Sequence, residues 1–138
     1  LRSADEAAQG GHDLWTYGGR RIRMSGNVTD TMSDGDVRSR AAARGRFGRN
    51  AIVQGAAAEF FKTWAVLVRA RGSTLGATVV LCLHDELVVH TPVAAADATR
   101  DLVDACLQEA AARWAPPTDA PVRFVADTST IERWSEAK

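Results

Sequence analysis

Apolar positions recur at helical spacing over residues 50–71, where Phe60, Trp64 and Leu67 repeat every third or fourth position with Phe61, Ala65 and Val68 beside them. That pattern predicts a helix starting at Asn50, with Gly72 as its stop. Two runs rich in β-branched residues follow, ATVVLCL over 77–83 and ELVVHT over 86–91, separated only by His84 and Asp85. Such a pair predicts a tight β-hairpin, its second strand closed by Pro92. A second amphipathic helix is expected over 94–114, carrying Leu102, Val103, Cys106, Leu107, Ala110 and Trp114 on one side and ending before Pro116-Pro117. Residues 122–126 alternate and read as a third strand, and 131–138 as a short helical end.

The N-terminal part is less regular. Residues 3–9 read as the tail of a helix stopped by Gly10-Gly11, and residues 14–24 have β character around Gly18-Gly19. Residues 25–36 are polar with almost no apolar content, which predicts a loop. Helical composition returns over 37–43, where Gly45 and Gly48 are expected to break it. The order predicts an α+β fold, a small antiparallel sheet containing the hairpin and packed against helices. It divides into residues 1–49 and residues 50–138, without internal repeats.

Composition changes this picture little. The chain has 138 residues, 46% hydrophobic and 25% charged, with no formal net charge, as for one ordinary globular domain. Charge placement is more informative: Arg20, Arg21, Arg23, Arg38, Arg40, Arg44, Arg46 and Arg49 face only Asp30, Asp34 and Asp36 in the same stretch. That is the footprint of a polyanion partner, or a general preference for Arg in a chain whose only lysines are Lys62 and Lys138. Cys82 and Cys106 have no metal-ligand or disulfide spacing and are expected as buried free thiols in a reducing compartment. No uninterrupted apolar run approaches the roughly 20 residues that span a bilayer, and no signal-peptide pattern opens the chain. The expectation is a cytoplasmic protein with no membrane partner. The chain starts at Leu1 without Met, which suggests a fragment or a processed product.

Two places carry chemistry. At the hairpin turn, Asp85 and Glu86 offer the hard oxygen ligands that Mg²⁺ prefers, although Asp also favours turns for conformational reasons alone. His84 beside them is either a solvated bystander or a hydrogen-bond donor to a phosphate, sugar or base edge. Upstream, Asn50 and Gln54 share a helical face behind Arg46 and Arg49. Guanidinium and amide groups in that order suit a nucleic-acid groove, but helix-start chemistry with Asn50 as N-cap accounts for them equally well.

Four blocks, in order, resemble the family A DNA polymerases, the class of bacterial DNA polymerase I. VVLCLHDELVV over 79–89 resembles the family's motif C, a strand, His-Asp-Glu and a second strand. RFGRNAIVQGAAAE over 46–59 is similar to the family's R-x-x-x-N-x-P-x-Q-G-T-A-A-D, TYGGRRIR over 16–23 to its T-x-x-G-R-R-R, and the terminal WSEAK to its usual end. Ile52, Ala56, Glu59 and Cys82 replace the family's Pro, Thr, Asp and Gln, and Gly45 stands where an acid is common; these are mostly packing changes.

The resemblance implies a C-terminal palm portion preceded by the exit from the fingers. Residues 1–49 would form the fingers-to-palm segment and 50–138 the palm. It implies DNA-directed DNA polymerisation through two Mg²⁺ ions, with Asp85 one of two metal-binding aspartates and Glu86 a supporting catalytic acid. Arg46, Asn50, Gln54 and His84, with Arg20 and Arg21, would contact primer–template DNA. The family's motif A, with the other aspartate, and motif B, with the helix for the incoming deoxynucleoside triphosphate, are not found in these residues. Such a chain would need the rest of the polymerase, be nucleoid-associated, and be inactive alone. The alternatives are a non-catalytic nucleic-acid-binding remnant and a purely structural α+β domain.

Overall fold

A computed structural model describes residues 1–24, 33–115 and 122–136. The chain divides into two compact units, Leu1–Glu59 and Phe60–Lys138. Its architecture is α+β: long helices with two separate two-stranded antiparallel sheets.

In the first unit, α1 (Arg2–Gln9) leads into a small hairpin, β1 (Leu14–Trp15) and β2 (Arg21–Ile22), and then into α2 (Asp34–Gly72). Leu14 pairs with Ile22 and Trp15 with Arg21. The core is small: Ala8, Leu14 and Met24 are buried, with Ala4, Ala7, Ile22 and Ile52 packed around them.

The helix α2 differs from the sequence expectation. It runs unbroken through Gly45 and Gly48, and Asn50 lies in its interior, so Asn50 caps nothing. The start lies at Asp34, so residues 34–36 form the first helical turn; the rest of the expected polar loop, 25–32, lies outside the described residues. Ser33 begins the helix chemically. Its hydroxyl accepts the Asp36 N–H at 3.2 Å and donates to the Asp36 carboxylate at 2.6 Å. Asp34 and Asp36 also sit at the positive end of the helix dipole.

Close approach explains the glycines. A Cβ on Gly48 would lie 2.6 Å from Ala8 Cβ and 2.8 Å from Leu14 Cδ1, and one on Gly55 would lie 2.5 Å from Thr16 Cγ2. Gly45, Gly48, Ile52 and Gly55 recur at three- and four-residue steps, one stripe of the helix. The stripe lets α1 and β1 approach the α2 backbone, and tertiary contact outweighs the roughly 1 kcal/mol that each glycine costs a helix.

In the second unit, the C-terminal part of α2 packs with β3 (Thr78–Leu83), β4 (Glu86–His90) and α3 (Ala96–Trp114). Trp64, Val68, Val103, Cys106, Leu107 and Ala110 are buried together. The Trp64 indole N–H donates to the Val103 carbonyl at 3.0 Å, satisfying the one polar group of that side chain. By length and composition, part of α2 would also suit a membrane span, contrary to the expectation from uninterrupted runs; Trp64 and Val68 lie in the core, but only 17% of the apolar stretch is buried. Gly76, at φ 69°, closes the 3₁₀ turn that turns the chain from α2 into β3. Thr78 pairs with His90 and Leu83 with Glu86, with a bulge between Val79 and Leu81.

Three further expectations change. Residues 122–126 form no strand. Their alternation has another cause: Phe124 stacks on Phe60 at 4.2 Å and Ala126 packs on the core, while Val122 and Val125 are exposed. Cys82 is exposed, because it sits on the thin two-stranded sheet, whereas Cys106 is buried as expected and desolvation pushes its thiol pKa up. Of the helical end expected over 131–138, the described residues form one 3₁₀ turn, Trp134–Glu136, and residues 137–138 lie outside them.

The glycine stripe sets a test. Gly48→Ala should destabilise the chain by roughly 1–3 kcal/mol through overpacking against Ala8 and Leu14, despite the gain in helix propensity. Gly45→Ala meets Asp5 Oδ1 and the Gln9 side chain, Cγ included, rather than a packed core, and should cost less stability than Gly48→Ala. Urea unfolding of both variants measures the difference.

Candidate nucleic-acid and metal site

The stripe of α2 opposite its glycines carries the polar chemistry. Arg46, Asn50 and Gln54 are four residues apart, so they line one face, and all three are exposed. Phe47, Arg49, Val53 and Ala57 are exposed around them. No ion pair involves Arg46 or Arg49 among the described residues, so both guanidinium groups are available to a ligand. The face offers cationic donors, two amides that donate and accept, and apolar contact between them.

Arg20 and Arg21 have local partners. Arg20 Nε lies 3.5 Å from the Glu59 carboxylate, and Arg21 Nε donates to Asp13 at 2.6 Å. Both side chains remain more than half exposed, so these pairs orient the guanidinium groups without hiding them.

Sequence reasoning assigned no role to the residues that organise this region. Glu59 accepts a 2.6 Å hydrogen bond from the Thr16 hydroxyl and one of 3.1 Å from the Gly18 N–H. Thr16, itself buried, also accepts the Arg20 N–H at 2.9 Å. One carboxylate thereby joins the 16–20 turn to α2. Asp13 does the same for β2, accepting the Met24 N–H at 2.9 Å as well as Arg21. These hydrogen bonds, the backbone one foremost, hold the Asp13 pKa below its ordinary value. The only signal in the sequence was that both Thr16 and Glu59 lie in motif blocks; their pairing spans 43 positions and is invisible to local pattern.

In the second unit, the strands close through the two-residue turn His84–Asp85, between Leu83 and its partner Glu86. His84 has φ 52°, the one positive φ of a non-glycine among the described residues. Glycine is preferred at the first position of such a turn, and a Cβ there costs roughly 1–2 kcal/mol. Strain of this kind gathers where a structure must aim a side chain. Asp85 and Glu86, which follow His84, are both exposed.

Would these residues suit a metal ion? Among the described residues, no three His, Cys, Asp or Glu side chains converge. Mg²⁺, however, is commonly held through one or two carboxylates, with waters and substrate phosphates completing its shell. The hairpin tip fits a partial ligand set of that kind. Arg46, Asn50 and Gln54 belong to the first unit, and His84, Asp85 and Glu86 to the second.

Comparison with known proteins finds similarity to one family of polymerases. The sequence model described as DNA polymerase family A matches residues 3–136. The thermostable DNA polymerase I of Thermus filiformis is 32% identical over 137 residues, 99% of this chain and 15% of that protein. DNA polymerase theta of Caenorhabditis elegans is 35% identical over 65 residues, 47% of this chain and 4% of that protein. The chain thus spans a small part of either relative's length. No solved structure matches.

Glu59→Ala leaves the buried Thr16 hydroxyl and the Gly18 N–H without their acceptor and should lower stability by roughly 1–3 kcal/mol in urea unfolding. Asp13 supplies a pH dependence. Because its folded pKa is depressed, its contribution is present above the unfolded value near 3.8 and is lost as pH falls through the lower folded value. Thermal melts between pH 6 and about pH 2.5 should show a smaller acid loss in Asp13→Asn than in the parent chain.

Proposed function

The chain belongs to DNA polymerase family A, and on that premise we propose that it is the C-terminal palm portion of a DNA-directed DNA polymerase, with residues 1–49 leading from the fingers. The observation that carries the reading is the exposed stripe of α2, with Arg46, Asn50 and Gln54 in line and without competing ion pairs. Such a stripe suits the minor groove and backbone of a primer–template duplex, where acceptors are shared between base pairs and any sequence is tolerated.

Asp85 is then one carboxylate of the metal site, Glu86 a supporting acid, and His84 a donor near the primer end. Bound Mg²⁺ would supply charge stabilisation at the transferring phosphoryl group and lower the pKa of the primer 3′-hydroxyl. The chain's own part is to hold Asp85 at the tip of a strained turn. A second carboxylate and the deoxynucleoside triphosphate contacts would come from other segments of the polymerase. The rival reading is a nucleic-acid-binding remnant without turnover, which salt-dependent duplex binding in the absence of nucleotide incorporation would favour.

Fluorescence anisotropy with a labelled blunt duplex tests the shared part of both readings. Arg46→Ala should weaken binding and reduce the slope of log K against log salt by about 1, the signature of one lost phosphate contact. Gln54→Ala should weaken binding with the slope unchanged. Unaltered affinity in both variants would exclude the α2 stripe. The isolated 138-residue chain should incorporate no nucleotide in primer extension, and incorporation would overturn the assignment of a partial site.

A further inference from the structure

Apart from Arg21, the outer face of the β1–β2 hairpin is not used by the function proposed above, yet it exposes a surface with specific chemistry. Strand alternation sends Leu14 and Thr16 toward Gly48 and Gly55 of α2, so Trp15 between them points away from the helix. Its side chain is 59% exposed, an unusual position for the largest apolar residue. Across the ladder its partner is Arg21, and Arg23, two residues further along the same strand direction, is exposed as well.

Side-chain hydrogen bonds tie down the backbone that carries Trp15 and Arg21. Asp13 grips Arg21 and the Met24 N–H, and Glu59 holds the turn through Thr16 and Gly18. A backbone tied down in this way loses little further freedom on association. From Asp13 to Arg23 there are three arginines against one aspartate. An exposed ring flanked by guanidinium groups, with Ile22 half-buried beneath, suits a polyanion carrying flat rings better than an apolar protein surface.

We propose that this face binds single-stranded nucleic acid, one base stacking on the Trp15 indole while Arg21 and Arg23 meet the flanking phosphates. It is a surface separate from the Arg46–Asn50–Gln54 stripe, which lies on the opposite side of α2 from β1. The inference rests on the polymerase reading only in taking nucleic acid as the partner.

Anisotropy of a labelled twelve-residue deoxythymidine oligonucleotide, run beside the blunt duplex on the same 138-residue chain, tests it. Trp15→Ala should weaken oligonucleotide binding roughly 5- to 150-fold, the range of one lost base–aromatic stack. Trp15→Phe keeps a ring and should retain most of the affinity, while losing the quenching of tryptophan fluorescence that the oligonucleotide causes in the parent. Arg23→Ala should weaken binding and reduce its salt dependence. Duplex affinity should be unchanged by Trp15→Ala, just as oligonucleotide affinity should be unchanged by Gln54→Ala. Oligonucleotide binding that survives Trp15→Ala, or that is absent from the parent chain, overturns the proposal. Loss of the duplex result with the Trp15 effect intact would sink the α2 reading and leave this one standing.

Discussion

Everything in the first unit depends on how closely β1 approaches the backbone of α2. Gly48 and Gly55 leave room for Ala8, Leu14 and Thr16 where any side chain would collide, with distances to a hypothetical Cβ of 2.5–2.8 Å. The penalty in helix propensity is small beside the packing it permits. The approach also brings Thr16 and Gly18 within hydrogen-bonding reach of Glu59, so the turn that carries Arg20 is tied to the helix by one carboxylate. With its inner stripe spent on packing, α2 leaves the opposite stripe of Arg46, Asn50 and Gln54 free for a ligand.

The second unit solves a different problem. A two-stranded hairpin has little stability by itself, and here one side of it packs on Trp64, Val68, Val103 and Leu107 through Val79, Leu87 and Val89. That packing supports a turn in which His84 adopts a left-handed backbone and the two acids stand in solvent. A pair of carboxylates so placed can offer oxygen ligands of the kind Mg²⁺ takes alongside waters and phosphates, which is the part the proposed function gives it.

The hairpin and α3 were legible because their periodicities are strong and their boundaries are marked by Pro92, Pro116 and the two-residue turn. The course of α2 was not. Gly45 and Gly48 read locally as breakers, and only their tertiary neighbours show that they are contact positions. The Ser33–Asp36 cap was present as a sequence pattern but was hidden in a stretch read as polar loop. Alternation over 122–126 misled for a related reason: period two reports which side chains face a core, and Phe124 and Ala126 face one without a strand partner. Of the candidate site, residue types were visible in advance, but the commitment of Arg20 to Glu59 and of Arg21 to Asp13 depends on pairings that local sequence does not encode.

Two-dimensional NMR of the ¹⁵N-labelled chain, titrated with a primer–template duplex, tests the central claim that α2 meets DNA on the stripe opposite its glycines. The account predicts that the side-chain amide signals of Asn50 and Gln54, and the Arg46 Nε–H, shift together and saturate, while backbone amides of Gly45, Gly48 and Gly55 move little. Shifts confined to other surfaces, with those three side chains unmoved at saturation, would contradict it.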